Sequence, residues 1–182
     1  MKTDRFYSHL DALANTLEGD LRHDIVARTI YATDASVYKE EPLAVIWPKG
    51  INDLKKILAF AREEMISITM RAAGTSLAGQ VVSSGLIVDI SRYMKKIIEV
   101  NVDEKWVRAE PGVVLDELNL HLKNSGLFFG PETSTSNRCN IGGMVGNNAC
   151  GSHSIIYGST RDHIIELKTL LSDGNEAIFG TV

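Results

Sequence analysis

With 182 residues, 44% of them hydrophobic, the chain is long enough to close one substantial core or two small ones. A formal charge of −4 with both signs scattered leaves no basic face, which argues against a nucleic-acid partner. No apolar run reaches the roughly 20 residues that cross a bilayer, and the start Met1-Lys-Thr-Asp-Arg-Phe6 lacks the apolar stretch of a secretory signal. The expected compartment is therefore the cytoplasm, with peripheral attachment at the inner face of the membrane as the alternative.

In chain order, Leu10, Leu13, Leu17, Leu21 and Ile25 recur at helical spacing with acidic residues between them, which predicts an amphipathic arm. The stretch Tyr31-Ala-Thr-Asp-Ala-Ser-Val-Tyr38 is polar and aromatic without periodicity, and Asp34 and Ser36 are suited to holding a turn there. Pro42-Leu-Ala-Val-Ile-Trp-Pro48, apolar and bracketed by prolines, reads as a strand. Leu54, Ile57, Leu58, Ala61 and Met65 then form one face of a helix whose first turn holds Asp53 near the positive dipole end. Strands are expected over 66–70 and 85–90, separated by Arg71-Ala-Ala-Gly-Thr-Ser-Leu-Ala-Gly-Gln80.

After Ser91 the apolar period falls to two: Ile98, Val100 and Val102 alternate with Ile97, Glu99 and Asn101, and Trp106-Val-Arg-Ala-Glu110 returns after a charged turn, an antiparallel hairpin. Leu115, Leu118 and Leu122 give a helix ending near Gly126, and Asp173-Gly174 turns a second hairpin. The predicted fold is α+β: a small βαβ unit over 1–92, including the arm, and a mainly antiparallel sheet with flanking helices over 93–182. Because the sequence stops three residues after Phe179 without covering the new strand edge, it is expected to be part of a longer protein, incomplete at the C-terminus.

Two glycine-rich loops stand out. Gly74-Thr-Ser-Leu-Ala-Gly79 has the glycine spacing of a nucleoside-triphosphatase loop, but Gln80 and Val81 replace the required lysine and hydroxyl, so neither a charge for terminal phosphates nor a Mg²⁺ ligand is present. No stretch fits the Gly-x-Gly-x-x-Gly of dehydrogenases. What remains are backbone N–H groups from residues 73–77 and the hydroxyls of Thr75 and Ser76, donors suited to a phosphate that is bound and not cleaved; a plain tight turn is the bland alternative. The second loop, Asn140-Ile-Gly-Gly-Met-Val-Gly-Asn-Asn-Ala-Cys-Gly151, follows the hydroxyls of Thr133, Ser134, Thr135 and Ser136. Glycine costs a helix about 1 kcal/mol per residue relative to alanine, so its glycines imply close approach of another helix, a sheet, or a ligand at the helix's positive end.

Other residues carry less. Cys139 and Cys150 show no metal or disulfide spacing and are expected to be buried thiols. His9, His23, His121, His153 and His163 are scattered and read as mostly surface residues, with no metal site. Arg161 and Asp162 are placed for a local ion pair.

Taken together, the two loops resemble those of the FAD-binding domain of the vanillyl-alcohol oxidase and p-cresol methylhydroxylase type. Gly130-Pro-Glu, Tyr157-Gly158 and the Asp173-Gly174 hairpin extend the likeness, and Asp34-Ala-Ser-Val-Tyr38 with Pro42-Leu-Ala-Val45 point to the branch of D-lactate dehydrogenases and glycolate oxidase subunits, especially long forms with iron–sulfur motifs. The resemblance implies that 1–92 and 93–182 are two FAD-binding subdomains and that the loops wrap the cofactor's diphosphate. It implies contacts from Ala73, Gly74, Thr75, Ser76, Leu77, Pro131, Thr135, Ile141, Gly142, Gly143, Gly146, Asn147, Asn148 and Gly151. Some relatives tether FAD through a histidine where this chain has Thr75, so noncovalent FAD is expected. The intact protein is expected to oxidise a 2-hydroxy acid such as D-lactate or glycolate by hydride transfer to FAD and to pass electrons to an acceptor; any iron–sulfur cluster, the substrate cap and the catalytic residues would lie beyond this chain. A non-catalytic binding module and a nicotinamide-using flavin reductase are the alternatives.

Overall fold

A computed structural model describes residues 4–180. Its main layer is a four-stranded sheet of β1 (Asp20–Arg22), β2 (Ala44–Trp47), β3 (Ile68–Arg71) and β4 (Leu86–Asp89), in the order β1-β2-β4-β3. β2, β4 and β3 run parallel and β1 pairs antiparallel with β2. Both inner strands are fully buried, which is why they read as continuous apolar runs and not as alternating ones.

Alternate side chains divide between the faces of this sheet. Ala44, Ile46, Leu86 and Val88 meet α1 (Asp4–Ala14) and α3 (Ile51–Glu63) through Phe6, Leu10, Leu13, Ile57 and Ala61. On the other face, Val45, Trp47 and Ile87 meet Ala27 and Tyr31 of α2 (Ile25–Tyr31).

The predicted continuous arm is instead three elements. α1 stops at Ala14, Leu17 lies in the turn that follows, and Leu21 is in β1. The helical spacing of the leucines is a coincidence across two elements, broken because Asp53, itself buried, accepts the backbone N–H groups of Glu18 (2.9 Å), Gly19 (3.0 Å) and Lys49 (2.9 Å). Asp24 starts α2 as its N-cap, accepting from the N–H groups of Val26 and Ala27. Met65 is likewise not on the helix face: it follows α3 with φ 51° and is 88% exposed.

The remaining strands form two separate antiparallel ladders among the described residues, where a single sheet was expected: β5 (Ile97–Asn101) with β6 (Trp106–Ala109), and β7 (Glu166–Leu170) with β8 (Glu176–Gly180). A register shift between Ile97 and Glu99 puts Ile97 and Val100 on the same inward face and leaves Ile98 and Val102 exposed, so the simple alternation is corrected by a bulge. α4 (Leu115–Leu122) covers that face with Leu118 and Leu122. Leu115 joins Cys139 and Met144 in an adjoining cluster that seats α5 (Ile141–Asn147), and α6 (Ser154–Tyr157) follows. Cys139 is buried as expected; Cys150 is exposed, in the loop after α5.

Candidate functional site

The first glycine loop leaves the sheet at the C-terminal end of β3 and lies within the 72–85 crossover to β4. Gly74 and Gly79 both take positive φ, 65° and 68°, a conformation that side chains resist. Space reinforces this: a Cβ on Gly79 would lie 2.4 Å from the Tyr38 ring, and one on Gly74 would lie 2.9 Å from the Arg71 guanidinium. Ala73, Gly74, Thr75 and Ser76 are half-buried, while Leu77 is exposed. The hydroxyl of Ser76 accepts the N–H of Ala78 at 3.3 Å, and the Gly74 carbonyl accepts the N–H of Ala35. Asp34 and Ser36 hold the neighbouring turn as expected, through the N–H groups of Ser36 and Tyr38.

The second loop is mostly the helix α5 itself, and it approaches the first. The position of a Cβ on Gly143 lies 3.3 Å from that of Ala72, a Cβ on Gly146 would meet nothing within 4 Å, and Gln80 Nε2 donates to Asn147 Oδ1 at 3.1 Å. Residues 143, 146 and 147 share one side of the helix, so the surface that α5 turns to the first loop is nearly bare backbone.

Several of the expected contact residues have other work. The N–H of Ile141 donates to the Val113 carbonyl and that of Gly142 to the Pro111 carbonyl, so the first two donors of α5 already have backbone acceptors. The Ile141 side chain joins the core around α4, and a Cβ on Gly142 would come within 2.6 Å of Pro111. Gly151 is pressed on the carbonyl of Glu132, and Pro131 is buried. Thr135 bonds through its hydroxyl to that of Thr133, and Asn148 ends α5 with φ 45° while its Oδ1 accepts the N–H of Arg161. Asp162 bonds to the Ser159 N–H and hydroxyl in a capping box, in place of the local pair expected with Arg161.

Beneath the first loop lies a polar cluster that the sequence reading missed. Buried Asp89 accepts the hydroxyl of Tyr31 at 2.5 Å and the N–H of Ser91 at 2.7 Å, and the Trp47 indole N–H donates to the Tyr31 oxygen at 2.9 Å. Burial pushes the Tyr31 hydroxyl up to about 12, with the bond to Asp89 as the second cause. The Arg71 guanidinium sits 4.8 Å over the Tyr31 ring and donates to the carbonyls of Tyr31 (3.3 Å) and Thr33 (2.9 Å). The legible signals were an aspartate closing an apolar strand and an arginine opening the glycine loop. On the far side, Glu132 ties 132 to the segment after α5: Ser152 donates at 2.8 Å and His153 lies at 2.7 Å, and these bonds, in that order, hold its carboxyl below the usual range.

The two glycine segments therefore lie against each other, joined at Gly143–Ala72 and Gln80–Asn147. Among the described residues, no group of three or more His, Cys, Asp or Glu gathers to hold a metal, and no helix is long and apolar enough to cross a membrane.

The fold is that of an α+β domain, and the chain belongs to the family described as FAD binding domain, which matches residues 42–179. Curated proteins that the chain matches are named D-2-hydroxyglutarate dehydrogenase, glycolate oxidase subunit and D-lactate dehydrogenase. The chain is 43% identical over 169 residues to a D-2-hydroxyglutarate dehydrogenase of Pseudomonas putida, covering 91% of this chain and 17% of that protein. It is 31% identical over 150 residues to the glycolate oxidase subunit GlcD of Bacillus subtilis, covering 81% and 32% respectively. The chain thus spans about one sixth of the length of the first of these relatives. A solved alkyldihydroxyacetonephosphate synthase shares the fold with a TM-score of 0.82 at 18% identity, over 100% of this chain and 35% of the other. The residues present fit the diphosphate of such a cofactor beside the Gly143–Ala72 contact, because Gly146 is exposed and a Cβ there would enter open space.

Proposed function

We propose that this chain is the diphosphate-holding part of a flavoenzyme that oxidises a 2-hydroxy acid by hydride transfer to noncovalent FAD. The observation that carries the reading is the meeting of the two glycine segments, Gly143 against Ala72 and Asn147 bonded to Gln80, inside the span matched by the FAD binding domain family. The isoalloxazine ring supplies the hydride-accepting chemistry when FAD is bound. This chain's residues bind and orient. The N–H groups of 73–77, the hydroxyls of Thr75 and Ser76, and the α5 side of Gly143, Gly146 and Asn147 hold the diphosphate. Gly142, Gly151, Pro131, Thr135, Ile141 and Asn148 keep that side of α5 in place.

The names of the relatives support the hydroxy-acid class and add D-2-hydroxyglutarate beside the glycolate and D-lactate expected from sequence. Substrate, electron acceptor and any iron–sulfur cluster belong to the remaining length of such a protein. The division into FAD-binding halves at 1–92 and 93–182 is part of this proposal, supported by the separation of the four-stranded sheet from the two later ladders.

The test is direct. FAD is mixed with the purified chain, excess is removed by gel filtration, and the visible flavin spectrum is recorded. Flavin co-eluting in stoichiometric amount is the expected result; colourless protein overturns the reading for this chain.

A further inference from the structure

We propose that Arg71 is a positioning residue for the flavin-holding loop, and that residues 31–38, which precede the matched family span, are a working part of that site. The inference rests on the FAD reading above. The Arg71 guanidinium fork spans the carbonyls of Tyr31 and Thr33 while lying directly against Gly74, so one side chain fixes the distance between the 31–33 backbone and the turn of the loop. Its stacking on the Tyr31 ring, itself held by Asp89 and Trp47, leaves the fork little freedom. The 31–38 segment touches the loop again further along: the Ala35 N–H donates to the Gly74 carbonyl at 3.1 Å, and the Tyr38 ring fills the space in front of Gly79.

Two positive-φ glycines, Gly74 and Gly79, are thus braced from outside, on either side of residues 75–78 of the loop. A bare loop has many conformations, and bracing it lowers the entropy lost on binding. Lysine in place of Arg71 would keep the charge, but a single ammonium on a flexible stem cannot reproduce a planar fork on two carbonyls.

The experiment titrates FAD into the full chain by flavin fluorescence, with riboflavin as the probe lacking the diphosphate and thermal melting of the apo chain as the control. Arg71→Lys and Arg71→Met are both expected to bind FAD about tenfold more weakly, with riboflavin affinity and apo melting near wild type. Tyr38→Ala, which removes a ring that is already 57% exposed, is expected to weaken FAD in the same selective way. Wild-type FAD affinity in a folded Arg71→Lys overturns the proposal, as does an equal loss for riboflavin and FAD, which would mark a general loss of structure. Should Arg71→Lys fail to fold, Tyr38→Ala decides by the same criteria. A wild-type chain that binds no FAD removes the underlying reading instead, and is seen before any variant is made.

Discussion

Glycine 142 and glycine 146 stand one helical turn apart and have opposite reasons for lacking a side chain. A methyl group at 142 would be forced onto Pro111, so Gly142→Ala is expected to cost about 1–3 kcal/mol through overpacking, read from denaturant melts. At 146 a methyl enters open space, so Gly146→Ala is expected to stabilise α5 by about 0.5–1 kcal/mol while lowering flavin retention on gel filtration. A stabilised Gly146→Ala that keeps all its flavin would take that residue out of the site. Tyr31 gives a second check. Because its hydroxyl is raised to about 12, the protonated form is favoured by folding, and that contribution is whole below the ordinary tyrosine range and is lost as pH rises through about 12. Ultraviolet titration should show a late tyrosine that disappears in Tyr31→Phe. The glycine motifs were legible residue by residue, since bare backbone leaves its mark in composition. The fork of Arg71 on Tyr31 and Thr33 was not, because its partners lie some 40 positions away and are main-chain atoms that carry no sequence signature.

Elements were legible where one periodicity governs one segment, as in α3 and β2, and were misread where distant groups intervene. The leucine spacing before β1 reads as a continuous helix, but Asp53 of α3 gathers the N–H groups of Glu18 and Gly19 and ends it. Gly19 is needed there too, since a Cβ would lie 2.0 Å from the Trp47 carbonyl oxygen. Asp53→Ala is expected to cost about 2–4 kcal/mol, because buried donors are left without their charged acceptor, and to speed hydrogen exchange at β1; an unchanged melting midpoint would mean that this capture is not what ends the arm. The inverted face of β5 has the same lesson on a smaller scale, a single bulge that alternation cannot anticipate.

For the molecule as a whole, the parallel unit and the two hairpin regions were visible from the change of apolar period, but the way in which the last hairpin is held to α3 was not. Glu176 of β8 takes Lys168 of its own hairpin and Lys55 of α3, each at 2.7 Å, and Arg62 donates to the Asp173 carbonyl at 3.0 Å. Those two lysines, Lys168 first, hold the Glu176 carboxyl down at about 2, so its contribution is present above the ordinary carboxylate range and is lost as pH falls through about 2. At about 1 M salt, where the screening length is roughly 3 Å, or in Glu176→Gln, the 166–180 amides should exchange faster while those of β2 and β4 do not. Equal protection in both segments would show that charge is not what seats the hairpin. The crossover over 72–85 has a mechanical consequence of its own. It joins strands that are parallel neighbours, so a slip of β4 against β3 by two residues would drag its ends by roughly 7 Å. The paired register of β3 and β4 therefore fixes where both ends of the crossover stand, and those anchors part only if the sheet itself unpairs.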